Sequence, residues 1–191
     1  MSNENEKRLI AAAKEGKAAI INAYVRGKLG SIDIDCLDAE TGNTALIYAA
    51  ENGHREIVVS LLNAGSKINI QSLSGNTALM RAAARGHDGV VQILINNESM
   101  DNVDAVNLDG DTAFILSCAN GQYPAAIRLI NGGCNYEAQN NRLETGMGLL
   151  RSRHPEHPEW INLVQVTISI TSHILTDNYY DSHYLLSILS N

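Results

Sequence analysis

Aromatic residues are scarce in this chain, with one Phe, one Trp and seven Tyr among 191 positions, yet 45% of its residues are hydrophobic. The core must therefore be built from aliphatic side chains and alanine, which suits closely stacked helices. Basic residues are also few: 14 Lys and Arg against 21 Asp and Glu give a net charge of −7. That balance argues against nucleic acid or anionic lipid as a partner, since either needs a basic surface to displace counterions. No segment approaches the roughly 18 apolar residues of a membrane span, and the polar run Met1 to Arg8 contains no signal-peptide core. The expected location is cytoplasmic, and the expected state of the isolated chain is monomeric. Cys36, Cys118 and Cys134 are odd in number and unclustered, which fits reduced thiols rather than a disulfide frame.

Catalytic signatures are missing as well. No serine stands in a nucleophile elbow, no glycine loop follows a strand, and no His-Glu-x-x-His occurs. The densest titratable stretch runs from His154 to Glu159 with two histidines, two glutamates and two prolines. A metal site can be drawn there, but the prolines send successive side chains in different directions and no third ligand is near in sequence. The stretch reads as a solvated loop ahead of the last helix. The expectation is no catalytic residue, no metal and no cofactor.

What the chain does contain is one pattern three times over. Gly42 to His54, Gly75 to His87 and Gly110 to Gly121 nearly coincide, and Thr44, Thr77, Thr112 and Thr145 follow one another at intervals of 33, 35 and 33 residues. A period of this size belongs to one supersecondary unit. Each threonine can cap a first helix, which runs through small residues to Gly53, Gly86 or Gly121, where a left-handed residue costs little. A second helix follows with an apolar stripe: Ile57, Val58, Leu61 and Leu62, then Val90, Val91, Leu94 and Ile95, then Ile127, Leu129 and Ile130. One such unit cannot cover its own apolar face, but stacked units bury a continuous core.

These residues resemble the ankyrin repeat family, whose pattern G-x-T-P-L-H-x-A-A-x-x-G-H matches from Gly42, from Gly75 and more loosely from Gly110. Leu9 to Ile21 is similar to a degenerate first repeat and Thr145 to Ile170 to a degenerate last one. The resemblance implies an all-α solenoid of about five helix-turn-helix repeats, at 5–38, 39–71, 72–106, 107–139 and 140–172, within a domain spanning 1–172. It also implies that His54 and His87 are structural, tying the turn between helices. The family's proline and histidine after the threonine are replaced by Ala45 and Ile47, Ala78 and Met80, and Ala113 and Ile115, so apolar contact must stand in for the lost hydrogen bond. The loop Asn96 to Asp104 carries two additional residues and no glycine. Arg81 takes a helix position held by Tyr48 and Leu116 in the flanking repeats. It must snorkel to water, the preferred reading, or find a carboxylate.

The resemblance further implies a surface of turns and first helices that binds another protein. The candidate contact residues are Glu40, Thr41, Asn43, Ser74, Asn76, Asp109 and Asp111 on turns, and Glu51, Asn52, Ala84, Arg85, Ala119 and Asn120 at helix ends. Acidic residues dominate this set, so the expected partner presents a basic surface. The function expected is that of a non-enzymatic adaptor, scaffold or inhibitor. The alternatives are a structural or oligomeric subunit that docks through its C-terminal end, and an effector exported into a host, a known family habit. The Tyr- and Leu-rich end at 173–191 reads as an extra helix or cap over the last repeat.

Overall fold

A computed structural model describes residues 4–30, 32–98, 100 and 102–176 of the chain. The stretch from 177 onward, with the tyrosines assigned to a cap, lies outside the described residues. Among the described residues ten helices form five pairs: α1 (Glu4–Glu15) with α2 (Ala18–Val25), α3 (Ala45–Glu51) with α4 (Arg55–Asn63), α5 (Ala78–Arg85) with α6 (Asp88–Ile95), α7 (Ala113–Ala119) with α8 (Tyr123–Asn131), and α9 (Gly146–Arg153) with α10 (Pro158–Thr176). Among the described residues no strand forms, and a lone antiparallel bridge joins Gln139 to Thr145. The odd-numbered helices pack successively on one another as one layer and the even-numbered helices as a second.

Local chemistry sets each boundary. The hydroxyls of Thr44, Thr77, Thr112 and Thr145 accept the N–H of Ile47, Met80, Ile115 and Gly148 at 3.1–3.3 Å, satisfying a donor that has no partner within its helix. First helices end where Gly53, Gly86 and Gly121 take φ of 73°, 75° and 68°. At Gly53 the space matters as much as the dihedral, because a Cβ there would lie 2.6 Å from Nδ1 of His87 in the next unit. The alanine pairs Ala12 and Ala13, Ala49 and Ala50, Ala82 and Ala83 are all buried, and they let the first helices approach closely. Ile47, Met80 and Ile115 are also buried, the apolar substitutes for the family's histidine.

The second helices contribute Ile57, Val58 and Leu61, then Val90, Val91 and Leu94, then Leu129 and Ile130, all in one cluster with the first-helix residues. Phe114 lies wholly inside, and its ring occupies the space where a Cβ on Gly146 would be, at 2.6 Å. The units at Thr44, Thr77 and Thr112 carry Ala45, Ala78 and Ala113 at that position. The fifth carries glycine because its neighbour's side chain is larger. Cys36, Cys118 and Cys134 are buried and unpaired. Burial pushes the Cys36 thiol up to about 11, with Glu6, Asp33 and Asp35 adding to the shift, and the Cys118 thiol to about 12. Burial raises Cys134 as well, with smaller contributions from Asp104 and Cys118.

Two sequence expectations change. His154 belongs to the turn of the fifth unit rather than to a solvated loop. Its Nε2 lies 3.3 Å from the Ala119 carbonyl, as His54 lies 3.3 Å from that of Lys14 and His87 3.0 Å from that of Glu51. These histidines therefore tie neighbouring units together rather than closing their own turns. His157 stacks on Trp160 with ring centres 3.6 Å apart, and Trp160 stacks on Tyr123 of the fourth unit at 5.1 Å. Among the described residues no three His, Cys, Asp or Glu side chains come together to hold a metal. In the longer loop Met100 turns onto the core, while Ser99 and Asp101 lie outside the described residues.

Candidate functional site

Between successive pairs the chain makes a projecting turn, and the turns are joined edge to edge. The N–H of Leu73 donates to Thr41 O at 3.0 Å, that of Leu108 to Ser74 O at 3.3 Å, and that of Asn141 to Asp109 O at 3.0 Å. A second line of bonds runs beneath: Asn107 Nδ2 donates to Asn76 Oδ1 at 3.2 Å, and Asn140 Nδ2 to Asp111 Oδ1 at 2.8 Å. These amides and the Asp111 carboxylate are buried, and so is Asn43. Burying a polar group is tolerable only with a partner, which explains their pairing across units. Asn76 and Asp111 thus brace the turns from below, while the Asn43 side-chain oxygen is enclosed without a hydrogen-bond partner.

Where the turns meet the first-helix layer, they bound a groove of about 960 Å3. Lys14, Glu40, Thr41, Tyr48, Glu51 and Arg81 line it, and Asn43, Asn52, Leu73, Ser74, Arg85 and His87 complete it. The structure therefore brings seven of the residues singled out in the sequence to one place: Glu40, Thr41, Asn43, Glu51, Asn52, Ser74 and Arg85. Asp109 and Asn120 are exposed and Ala119 half-buried one unit further on, outside this groove, and Ala84 is half-buried beside Arg85 on α5. Lys14, Tyr48, Leu73, Arg81 and His87 were missed as lining residues. The signal for two of them was present, since Tyr48 and Arg81 each stand five places before the helix-ending glycine.

The groove is bipolar rather than acidic. Glu51, with 17% of its side chain exposed, lies 3.3 Å from Arg85 Nη2 and 3.8 Å from Arg81 Nη1. Arg81 is half-buried and takes the carboxylate rather than reaching for water alone. Its Nη2 also lies 3.4 Å from Ser74 Oγ, while its Nε is enclosed without a partner. At the other side Lys14 Nζ sits 5.4 Å from the centre of the Tyr48 ring, a cation–π distance. The Tyr48 hydroxyl donates to Asp38 and lies 3.0 Å from Thr41 Oγ1. That bond, followed by the Glu40 N–H at 3.0 Å, holds the Asp38 carboxyl below its usual range.

A family model described as ankyrin repeats (3 copies) matches residues 2–72 and 58–140. The chain belongs to the ankyrin repeat family. It is also similar to ankyrin repeat domain-containing protein 29 of Danio rerio, at 40% identity over 60 residues, which are 31% of this chain and 19% of that protein. The chain thus spans about a fifth of the curated relative's length. Ankyrin repeats are generally protein–protein interaction modules, and the groove lies where ankyrin turns meet first helices. No helix among the described residues is long and apolar enough to cross a membrane.

Proposed function

We propose that this ankyrin repeat protein is a non-enzymatic adaptor, scaffold or inhibitor that grips another protein along the face formed by its turns and first helices. The observation that carries this reading is a contrast within each unit. The capping threonine recurs at Thr44, Thr77, Thr112 and Thr145, whereas the row four places after it changes chemistry from Tyr48 to Arg81 to Leu116. A surface whose scaffold is uniform and whose exposed side chains differ is suited to reading a partner. The exposed candidates are Glu40, Thr41, Asn52, Ser74, Arg85, Asp109 and Asn120, with Glu51, Ala84 and Ala119 half-buried among them. Glu40 and Asp109, on the rim, are where a basic patch of the partner would settle. Three unpaired buried thiols suit a reducing cytoplasm.

A second reading has one feature in its favour. α10 runs for 19 residues and leaves Leu163 49% exposed, so the C-terminal end offers a docking surface to a copy or a larger assembly. Affinity capture with the full chain separates the two. Asp109→Lys combined with Asn120→Arg places opposite or bulky charge on the face at exposed sites, where a substitution shifts stability by less than about 0.5 kcal/mol. Arg85 already occupies the position of Asn120 one unit earlier. Loss of the captured partner at an unchanged melting temperature supports the face. Retention there, with loss on Leu163→Lys, moves the interface to the C-terminal end.

A further inference from the structure

We infer that the groove between the second and third units seats a carboxylate of an acidic, extended partner segment on Arg81, flanked by Lys14 and Arg85. This rests on the reading of the face as protein-binding and names the chemistry of what enters it. Arg81 stands in a row whose other members are Tyr48, Leu116 and Leu149, so it is a single charge among rings and aliphatics.

Its guanidinium is underemployed. Five N–H donors share one long bond to Ser74 at 3.4 Å and an approach to Glu51 at 3.8 Å, too far for a hydrogen bond, and Nε has no acceptor. The planar fork of an arginine matches a carboxylate in a two-bond arrangement. An incoming carboxylate would supply acceptors to the two Nη groups, which Ser74 and Glu51 engage only at long range, while the enclosed Nε stays out of its reach.

Charge decides the sign of the guest. The lining carries Lys14, Arg81 and Arg85 against Glu40 and Glu51. Asp38 already accepts from Tyr48 and Glu40. Glu51 has both guanidinium groups within 4 Å, so a cation aimed at it meets two like charges at close range, and a carboxylate is drawn by the same pair.

Shape decides its conformation. The groove runs from Lys14 of the first unit to His87 at the start of α6, two inter-helix steps of roughly 8–10 Å each. That length takes about five or six residues of extended chain. Leu73, which is 67% exposed, offers apolar contact to such a segment.

The test uses the full chain and three labelled, capped octapeptides that alternate valine with aspartate, lysine or asparagine, read by fluorescence anisotropy. The aspartate peptide is expected to bind at least tenfold tighter than the lysine one, and to weaken as salt is raised. Arg81→Leu, which installs the residue of the fourth and fifth units, should abolish that preference, and Arg85→Gln should reduce it severalfold. Should the leucine variant misfold, Arg81→Gln removes the charge and keeps the polar stem. Equal or tighter binding of the lysine peptide, an aspartate peptide unmoved by the arginine variants, or no binding by any peptide overturns the proposal. If the peptides fail while Asp109→Lys with Asn120→Arg still releases the natural partner, the acidic-segment inference falls and the interaction face stands. If neither responds, both fall.

Discussion

Tyr48 donates a hydrogen bond from its hydroxyl to the carboxylate of Asp38, ten residues earlier, and so bridges the turn and the first helix of the second unit at the edge of the groove. The same tyrosine lies under Lys14 of the first unit, so a single side chain joins two units and one turn.

Because the folded-state pKa of Asp38 is depressed, the carboxylate stabilises the fold above the ordinary aspartate range and that contribution is lost as pH falls below it. Asp38→Asn should therefore lower the melting temperature most at neutral pH. The gap between variant and parent should close as pH drops through about 4 toward 3. A gap that stays constant between pH 7 and pH 3 contradicts the assignment.

Leu61 and Leu94 are fully buried in the second-helix layer. Truncation of either to alanine should cost about 2–5 kcal/mol through lost transfer energy and the cavity left behind. Urea denaturation measures this, and a midpoint unchanged in both variants contradicts the stacked core.

Gly146 opens α9 directly after its Thr145 cap, and alanine is ordinarily the better helix former. Here the sign should reverse. The Phe114 ring lies 2.6 Å from the point where the alanine methyl would stand, and overpacking costs about 1–3 kcal/mol. Gly146→Ala should thus melt lower than the parent, and Gly146→Ala with Phe114→Leu should recover most of the loss.

Leu143 occupies the turn position taken by Gly42, Gly75 and Gly110 in the other units, with φ of 61° and 76% of its surface exposed. A left-handed conformation costs a side-chain-bearing residue about 1–2 kcal/mol, against about 0.5–1 kcal/mol of additional chain entropy for glycine. Leu143→Gly should raise stability by up to about 1 kcal/mol by chemical denaturation. A lower midpoint contradicts the strain.

The periodic features of this fold were legible because they are local. A threonine cap, a left-handed glycine and an apolar stripe each depend on residues within a turn or two, so Thr44, Gly53 and Leu61 announce themselves. The features that escaped depend on the neighbouring unit. Nothing near Arg81 in sequence points to Glu51, thirty residues earlier in the preceding first helix. Asn43, Asn76 and Asp111 look like solvated turn residues until the next turn lies over them. His154 was hidden for a different reason: Arg153 stands where the other units have glycine before the histidine, and two prolines suggest an inserted loop. The groove was half legible, since its turn residues were named but its floor of Lys14, Tyr48 and Arg81 required the helices to be set side by side.

The position of Trp160 has an optical consequence. As the chain's sole indole, stacked between His157 and Tyr123, it emits from the seam between the fourth and fifth units and from nowhere else. Its fluorescence is thus an address rather than an average, whereas far-ultraviolet dichroism sums over every helix. An unfolding curve followed in emission records when one end of the array lets go, and its offset from the dichroism curve measures how far the melting of this protein departs from a single concerted step.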